Sequence, residues 1–110
     1  MRSFVLDTSV LLKQVFEEEG SDVVRDFLSA HATDCCAPTT IDDEAGNAIA
    51  RAVRLGMMDK ELAVSAYSAL LSVQVERIEQ KAMEIDEFRT VVELGLGMGD
   101  SRFVFLALSL

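Results

Sequence analysis

Phe4-Val5-Leu6-Asp7-Thr8-Ser9 places three consecutive apolar residues directly before a carboxylate and two hydroxyls. That order predicts a short buried strand with Asp7 at its C-terminal tip, followed by a helix whose N-cap is Thr8 or Ser9. The mostly apolar stretch from Val10 to Phe16 carries the helix, and Glu17-Glu18-Glu19-Gly20 ends it. Gly20 reads as a stop and Ser21 as the next N-cap. Whether this strand-then-helix unit recurs decides the fold class.

It does recur. Val23, Val24, Phe27 and Leu28 stand at helical spacing to about Ala30, and Asp34-Cys35-Cys36-Ala37-Pro38 reads as a second buried strand closed by proline. Thr39 and Thr40 each have an aspartate three residues on, Asp42 and Asp43, the pattern of a capped helix start. Ile41, Ala45, Ala48, Ile49 and Ala52 form the apolar stripe of that helix, and Gly56 ends it. Asp59 caps the next helix, with Leu62, Ala66, Leu70 and Val73 as its stripe. Val73-Gln74-Val75-Glu76 alternates at period two and predicts a third strand. Ile78 to Leu94 reads as a long helix with Ala82, Ile85, Phe88 and Val92 facing in, broken by Gly95, Gly97 and Gly99. Asp100 then opens an apolar segment, Phe103 to Leu110. Strands alternating with helices predict an α/β fold, a small parallel sheet flanked by helices, in one domain over residues 1–110. The final segment lacks a C-cap and a polar tail, so the chain is expected to belong to a slightly longer domain.

Composition narrows the classes. Half the 110 residues are hydrophobic, which excludes intrinsic disorder, and no apolar run approaches the ~18 residues of a membrane span. Met1-Arg2-Ser3-Phe4-Val5-Leu6-Asp7 meets an acid too soon for a secretory signal. Adjacent Cys35 and Cys36 fit neither a disulfide framework nor a CxxC metal knuckle. They read as small buried hydrophobes in a reducing compartment, so a cytoplasmic location is expected. Nineteen acids against ten bases give a net charge of −9. Such a chain is not a nucleic-acid binder held by many phosphate contacts. It could still cut nucleic acid if some of its acids hold metal ions.

The glycines at 95, 97 and 99 follow a helix and lack dinucleotide spacing, so they read as a helix stop and turn. His31, the single histidine, falls at a helix end that favours a cation. Three acids stand apart. Asp7 ends the first strand, at the sheet edge where open α/β folds bind ligands. Glu44 lies in the first turn of the third helix, and Asp100 begins the last. Helix-start electrostatics explains Glu44 or Asp100 singly. Together the three offer oxygen ligands from three element ends, the donor set of a hard cation such as Mg²⁺ or Mn²⁺.

Val5-Leu6-Asp7-Thr8-Ser9-Val10-Leu11-Leu12-Lys13 with Glu18-Glu19, then Ala37-Pro38 with Glu44-Ala45-Gly46-Asn47-Ala48-Ile49 and Arg54-Leu55-Gly56, then Gly99-Asp100-Ser101 leading into Phe103-Val104-Phe105-Leu106-Ala107-Leu108, resemble the three motif blocks of PIN-domain proteins in order and spacing. The similarity is greatest to the VapC-type toxin branch. The resemblance implies a Rossmann-like α/β fold and an endoribonuclease dependent on Mg²⁺ or Mn²⁺. Asp7, Glu44 and Asp100 would be its acidic cluster, and Ser9 the hydroxyl that supports Asp7 or a metal-bound water. It also implies a homodimer and silencing by a cognate antitoxin protein. Two features depart from the family. Its fourth acid sits on a strand after the last helix, a strand this chain ends before, and Gly99 stands where the toxin branch often has an aromatic residue.

The chemistry these residues fit is metal-assisted phosphodiester hydrolysis. Lys13, Arg51, Arg54 and Arg102 are the candidate phosphate contacts; Arg51 and Arg54 share a helix face with Glu44 and Asn47, where ion pairing within the helix also accounts for them. The alternative is a non-catalytic PIN-like module that keeps only a protein-binding surface, its acidic pocket accepting a partner's arginine.

Overall fold

The computed structural model describes residues 4–110; the opening Met1-Arg2-Ser3, read above for its brevity before the first acid, lies outside the described residues. The chain runs β1 (Phe4–Val5), α1 (Thr8–Val15), α2 (Ser21–Ala30), β2 (Cys35–Pro38), α3 (Ile41–Arg54), α4 (Lys60–Leu71), β3 (Glu76–Ile78), α5 (Ile85–Leu94) and α6 (Met98–Ser109). The three strands form one parallel sheet in the order β1-β2-β3, with Phe4 opposite Cys35 and Cys36 opposite Glu76. The expected α/β class with a small parallel sheet is therefore what folds. β1 occupies one edge of the sheet.

β2 is the central strand and is buried throughout, which is why Cys-Cys-Ala-Pro carries no polar side chain. Neither cysteine is in a disulfide among the described residues, and burial raises the pKa of Cys35 above its ordinary value of 9.0. Leu6, Leu11, Leu28, Ile41, Ala45, Ile49, Ala63, Ala66 and Leu70 pack with this strand into one core. α1 touches α2, α3 and α4, while α6 lies on β1 and β2.

Several boundaries differ from the sequence reading, each for a local reason. Asp7, rather than Thr8 or Ser9, caps α1: its backbone is extended and its carboxylate accepts from the Val10 N–H. Gly20, in a left-handed conformation at φ 86°, is the N-cap of α2, and Ser21 begins the helix. Thr40 makes no capping bond, because its own backbone is already helical. The third strand falls at Glu76–Ile78 because the N–H groups of Ser72 and Val73 are spent on the carbonyls of Ala69 and Leu70, closing α4. The long helix expected from Ile78 starts only at Ile85. Before it, the Gln80 amide donates to the Arg102 carbonyl and the Arg102 guanidinium to the Lys81 carbonyl, holding residues 79–84 against α6. A reciprocal Glu84–Glu87 capping box then starts α5.

The face of α5 is also corrected. Ile85, Phe88 and Val92 are 80%, 49% and 64% exposed, and Val91 is the residue that packs inward. α6 likewise buries Leu106 but exposes Val104 and Leu108. On α4 the inward positions are Ala63, Ala66 and Leu70, with Leu62 exposed. The radius of gyration, 15.0 Å, exceeds the ~13 Å of a tightly packed chain of this length, in keeping with the uncovered face of α5. Among the described residues no helix is long and apolar enough to cross a membrane.

Candidate functional site

β1 delivers Leu6 to the core and Asp7 to the surface at the C-terminal end of the sheet. The Asp7 carboxylate is fixed locally. Its Oδ1 accepts from the Val10 N–H at 2.9 Å and from the Ser9 hydroxyl at 2.8 Å. Ser9 thus donates to the carboxylate that begins the site.

β2 ends at Pro38, and Thr39 donates its N–H to the Ile78 carbonyl, so the chain turns directly into α3. Ile41 and Ala45 face the core, which leaves Glu44 on the side toward α1. There the Thr8 hydroxyl donates to Glu44 Oε2 at 2.7 Å. The third segment arrives with α6. Gly97 is its N-cap and Asp100 lies in its first turn. Buried Ser101 donates to the Met98 carbonyl and seats that turn.

Asp7, Thr8, Ser9, Glu44, Asp100 and Phe103 line one depression of about 320 Å³. The starts of α1, α3 and α6 all open onto it, and helix starts carry partial positive charge that steadies three carboxylates against mutual repulsion. Larger clefts lie between α1, α2 and α4 and between α3 and α4, and neither gathers acids from three distant segments.

The donor set suits a hard divalent cation by type: carboxylates, with hydroxyls at the rim. No hydrogen bond among the described residues takes Oδ2 of Asp7, Oε1 of Glu44 or either oxygen of Asp100. Among the described residues, however, no three acid, histidine or cysteine side chains come close enough to enclose one ion.

The four candidate cations are placed elsewhere. Lys13 donates to Glu18 and to the Glu19 carbonyl. Arg102 turns away to the Lys81 carbonyl. Arg51 and Arg54 are exposed in the last turns of α3, roughly 10 and 15 Å along the axis from Glu44. None lines the depression. His31 closes α2 and meets Asp34, its ring packed on Phe4 and Phe27, a structural position.

Thr8 is the residue that sequence reasoning missed. In the sequence it reads as a possible cap, and nothing in a linear pattern joins it to an acid in another helix. Compared with known protein families, with curated proteins and with solved structures, the chain matches none.

Proposed function

We propose that this chain is a PIN-like endoribonuclease that hydrolyses RNA phosphodiester bonds with Mg²⁺ or Mn²⁺, the toxin of a toxin–antitoxin pair. The observation that carries the reading is the meeting of Asp7, Glu44 and Asp100 in one depression at the C-terminal end of a parallel sheet. Those are the acids, in the order, that the PIN resemblance singles out. A Rossmann-like PIN identity, a homodimer and a cognate antitoxin belong to the same proposal.

Asp7 and Asp100, with Glu44, would have to draw together to hold the cation, which when bound supplies Lewis-acid activation of water and neutralises charge on the phosphate. The protein's own share is placement. Ser9 and the Val10 N–H hold Oδ1 of Asp7 and leave Oδ2 without a hydrogen bond among the described residues. Thr8 holds Oε2 of Glu44. With −9 net charge and no cation lining the depression among the described residues, RNA is expected to bind weakly unless a metal ion is present.

The test is cleavage of a mixed-sequence RNA by the purified chain with Mg²⁺, with Mn²⁺ and with excess EDTA, alongside Asp100→Asn. Cleavage that needs the metal and disappears in the variant supports the reading. Cleavage that persists in EDTA overturns the mechanism. No cleavage and no binding of either metal favours the non-catalytic alternative.

A further inference from the structure

Glu44 is held from two sides by residues outside its own helix. On one side the Thr8 hydroxyl donates to Oε2 at 2.7 Å. On the other stands the backbone of Gly99, where a Cβ would come 2.5 Å from Oε1 and 3.7 Å from the carboxyl carbon. No real Cβ makes the first of those contacts, so the carboxylate occupies space that only glycine leaves open at that position.

Gly99 is not needed for its backbone. It lies inside the first turn of α6 and is not among the glycines at positive φ, which are Gly20, Gly56 and Gly95. Glycine is the poorer helix former there, and alanine would favour the helix. The atom that a methyl group would meet is the far end of a flexible side chain rather than backbone. Substitution at 99 would therefore cost the fold little and would fall on the placement of Glu44.

We infer that Thr8 and Gly99 are positioning residues that together seat the Glu44 carboxylate between the start of α1 and the first turn of α6. Thr8 fixes the direction of the carboxylate through Oε2, and the missing side chain at 99 lets Oε1 reach the segment that carries Asp100. What Glu44 then holds rests on the ribonuclease reading; the seat itself does not. Removing partners that orient a metal ligand typically weakens metal binding roughly 10–100-fold.

The experiment uses the full chain as Thr8→Val, Thr8→Ser and Gly99→Ala. Three quantities are read: the ¹³C resonance of the Glu44 carboxyl group without metal, assigned through Glu44→Gln; the melting temperature; and Mn²⁺ affinity by electron paramagnetic resonance. Thr8→Val and Gly99→Ala should both move the resonance, and Thr8→Ser should restore it. Gly99→Ala should melt at or above the wild-type temperature and yet bind Mn²⁺ at least tenfold more weakly. An unmoved Glu44 resonance in Gly99→Ala and Thr8→Val, or Thr8→Ser behaving like Thr8→Val, overturns the inference. So does unchanged Mn²⁺ affinity in both variants when the wild type binds. A wild type that binds no Mn²⁺ sinks the ribonuclease reading alone, because the metal-free resonance still decides whether the seat exists.

Discussion

Arg77 spends all five of its N–H groups inside the protein, and Asp42 takes two of them. Nε and Nη2 each donate to the Asp42 carboxylate at 3.1 Å, while the remaining three reach the carbonyls of Leu70, Val73 and Val75 at 2.8–3.1 Å. The pair joins the first turn of α3 to the end of α4 and the start of β3. Glu44 sits two residues beyond Asp42, so this junction also fixes the turn that presents it.

Loss of that junction should be costly. Both side chains are about four-fifths buried, at 21% and 19% exposure, so Arg77→Met leaves a buried carboxylate without its partner and takes one bond from each of three carbonyls, two of which keep a backbone donor. We expect a loss of about 2–3 kcal/mol by urea denaturation. Asp42→Asn, which keeps an acceptor for the fork, should cost about 1 kcal/mol. Equal and negligible losses would show that the five-bond arrangement contributes nothing to stability.

Asp7→Asn separates charge from structure. Asparagine caps a helix as well as aspartate does, and its carbonyl oxygen can accept from the Val10 N–H. Stability should therefore stay within about 0.5 kcal/mol of wild type, while metal-dependent RNA cleavage is lost. Asp7→Ala should lose the cap too, about 1 kcal/mol. Retained cleavage by the asparagine variant would remove Asp7 from the proposed chemistry.

Ser21 is fully buried, and its hydroxyl accepts from the Glu18 N–H while donating to the Phe16 carbonyl. It holds the turn between α1 and α2 closed. Ser21→Ala strands both backbone groups and should cost about 1–2 kcal/mol in chemical denaturation.

On α5 the exposed and buried faces give opposite expectations. Val91→Ala should cost about 1–2 kcal/mol, since Val91 is the residue packed inward. Ile85→Ser, at a largely exposed position, should change stability by less than about 0.5 kcal/mol. The reverse ranking would restore the inward stripe that the periodicity alone suggested.

Cys35 gives a pH dependence. Burial, reinforced by the neighbouring Asp34 charge, raises its thiol pKa above the ordinary value, so the folded state holds the proton more tightly than the unfolded state. The resulting stability is fully present at neutral pH. It is lost as pH rises past the ordinary value of 9.0 and through the higher folded-state pKa. Denaturation midpoints measured from pH 7 to pH 10 should fall more steeply for the wild type than for Cys35→Ala.

What the sequence made legible follows from chemistry that is local. Leu6 then Asp7 is a strand end wherever it is read, and Asp59 caps its helix because the Leu62 N–H lies three residues on. Gly95 stops α5 in a left-handed conformation, as a glycine after an apolar helix predicts. Asp7, Glu44 and Asp100 were each visible as acids at element ends, and the structure lines one depression with them. The remainder depended on contacts between distant segments. Arg77 reads as an ordinary charged residue in a strand until the α4 carbonyls and Asp42 are brought to it. Ile85, Phe88 and Val92 form a regular stripe, but a stripe names no neighbour to cover it. The Lys13 and Arg102 side chains were free to point anywhere, and backbone carbonyls drew them away from the acids.

The three carboxylates come from the first, middle and last parts of the chain, and the final one rides on the last helix. A growing polypeptide on the ribosome therefore has no assembled acidic depression until α6 has left the exit tunnel and docked on β1 and β2. Whatever the depression holds, a nascent chain lacks it until the segment that carries Asp100 has been made.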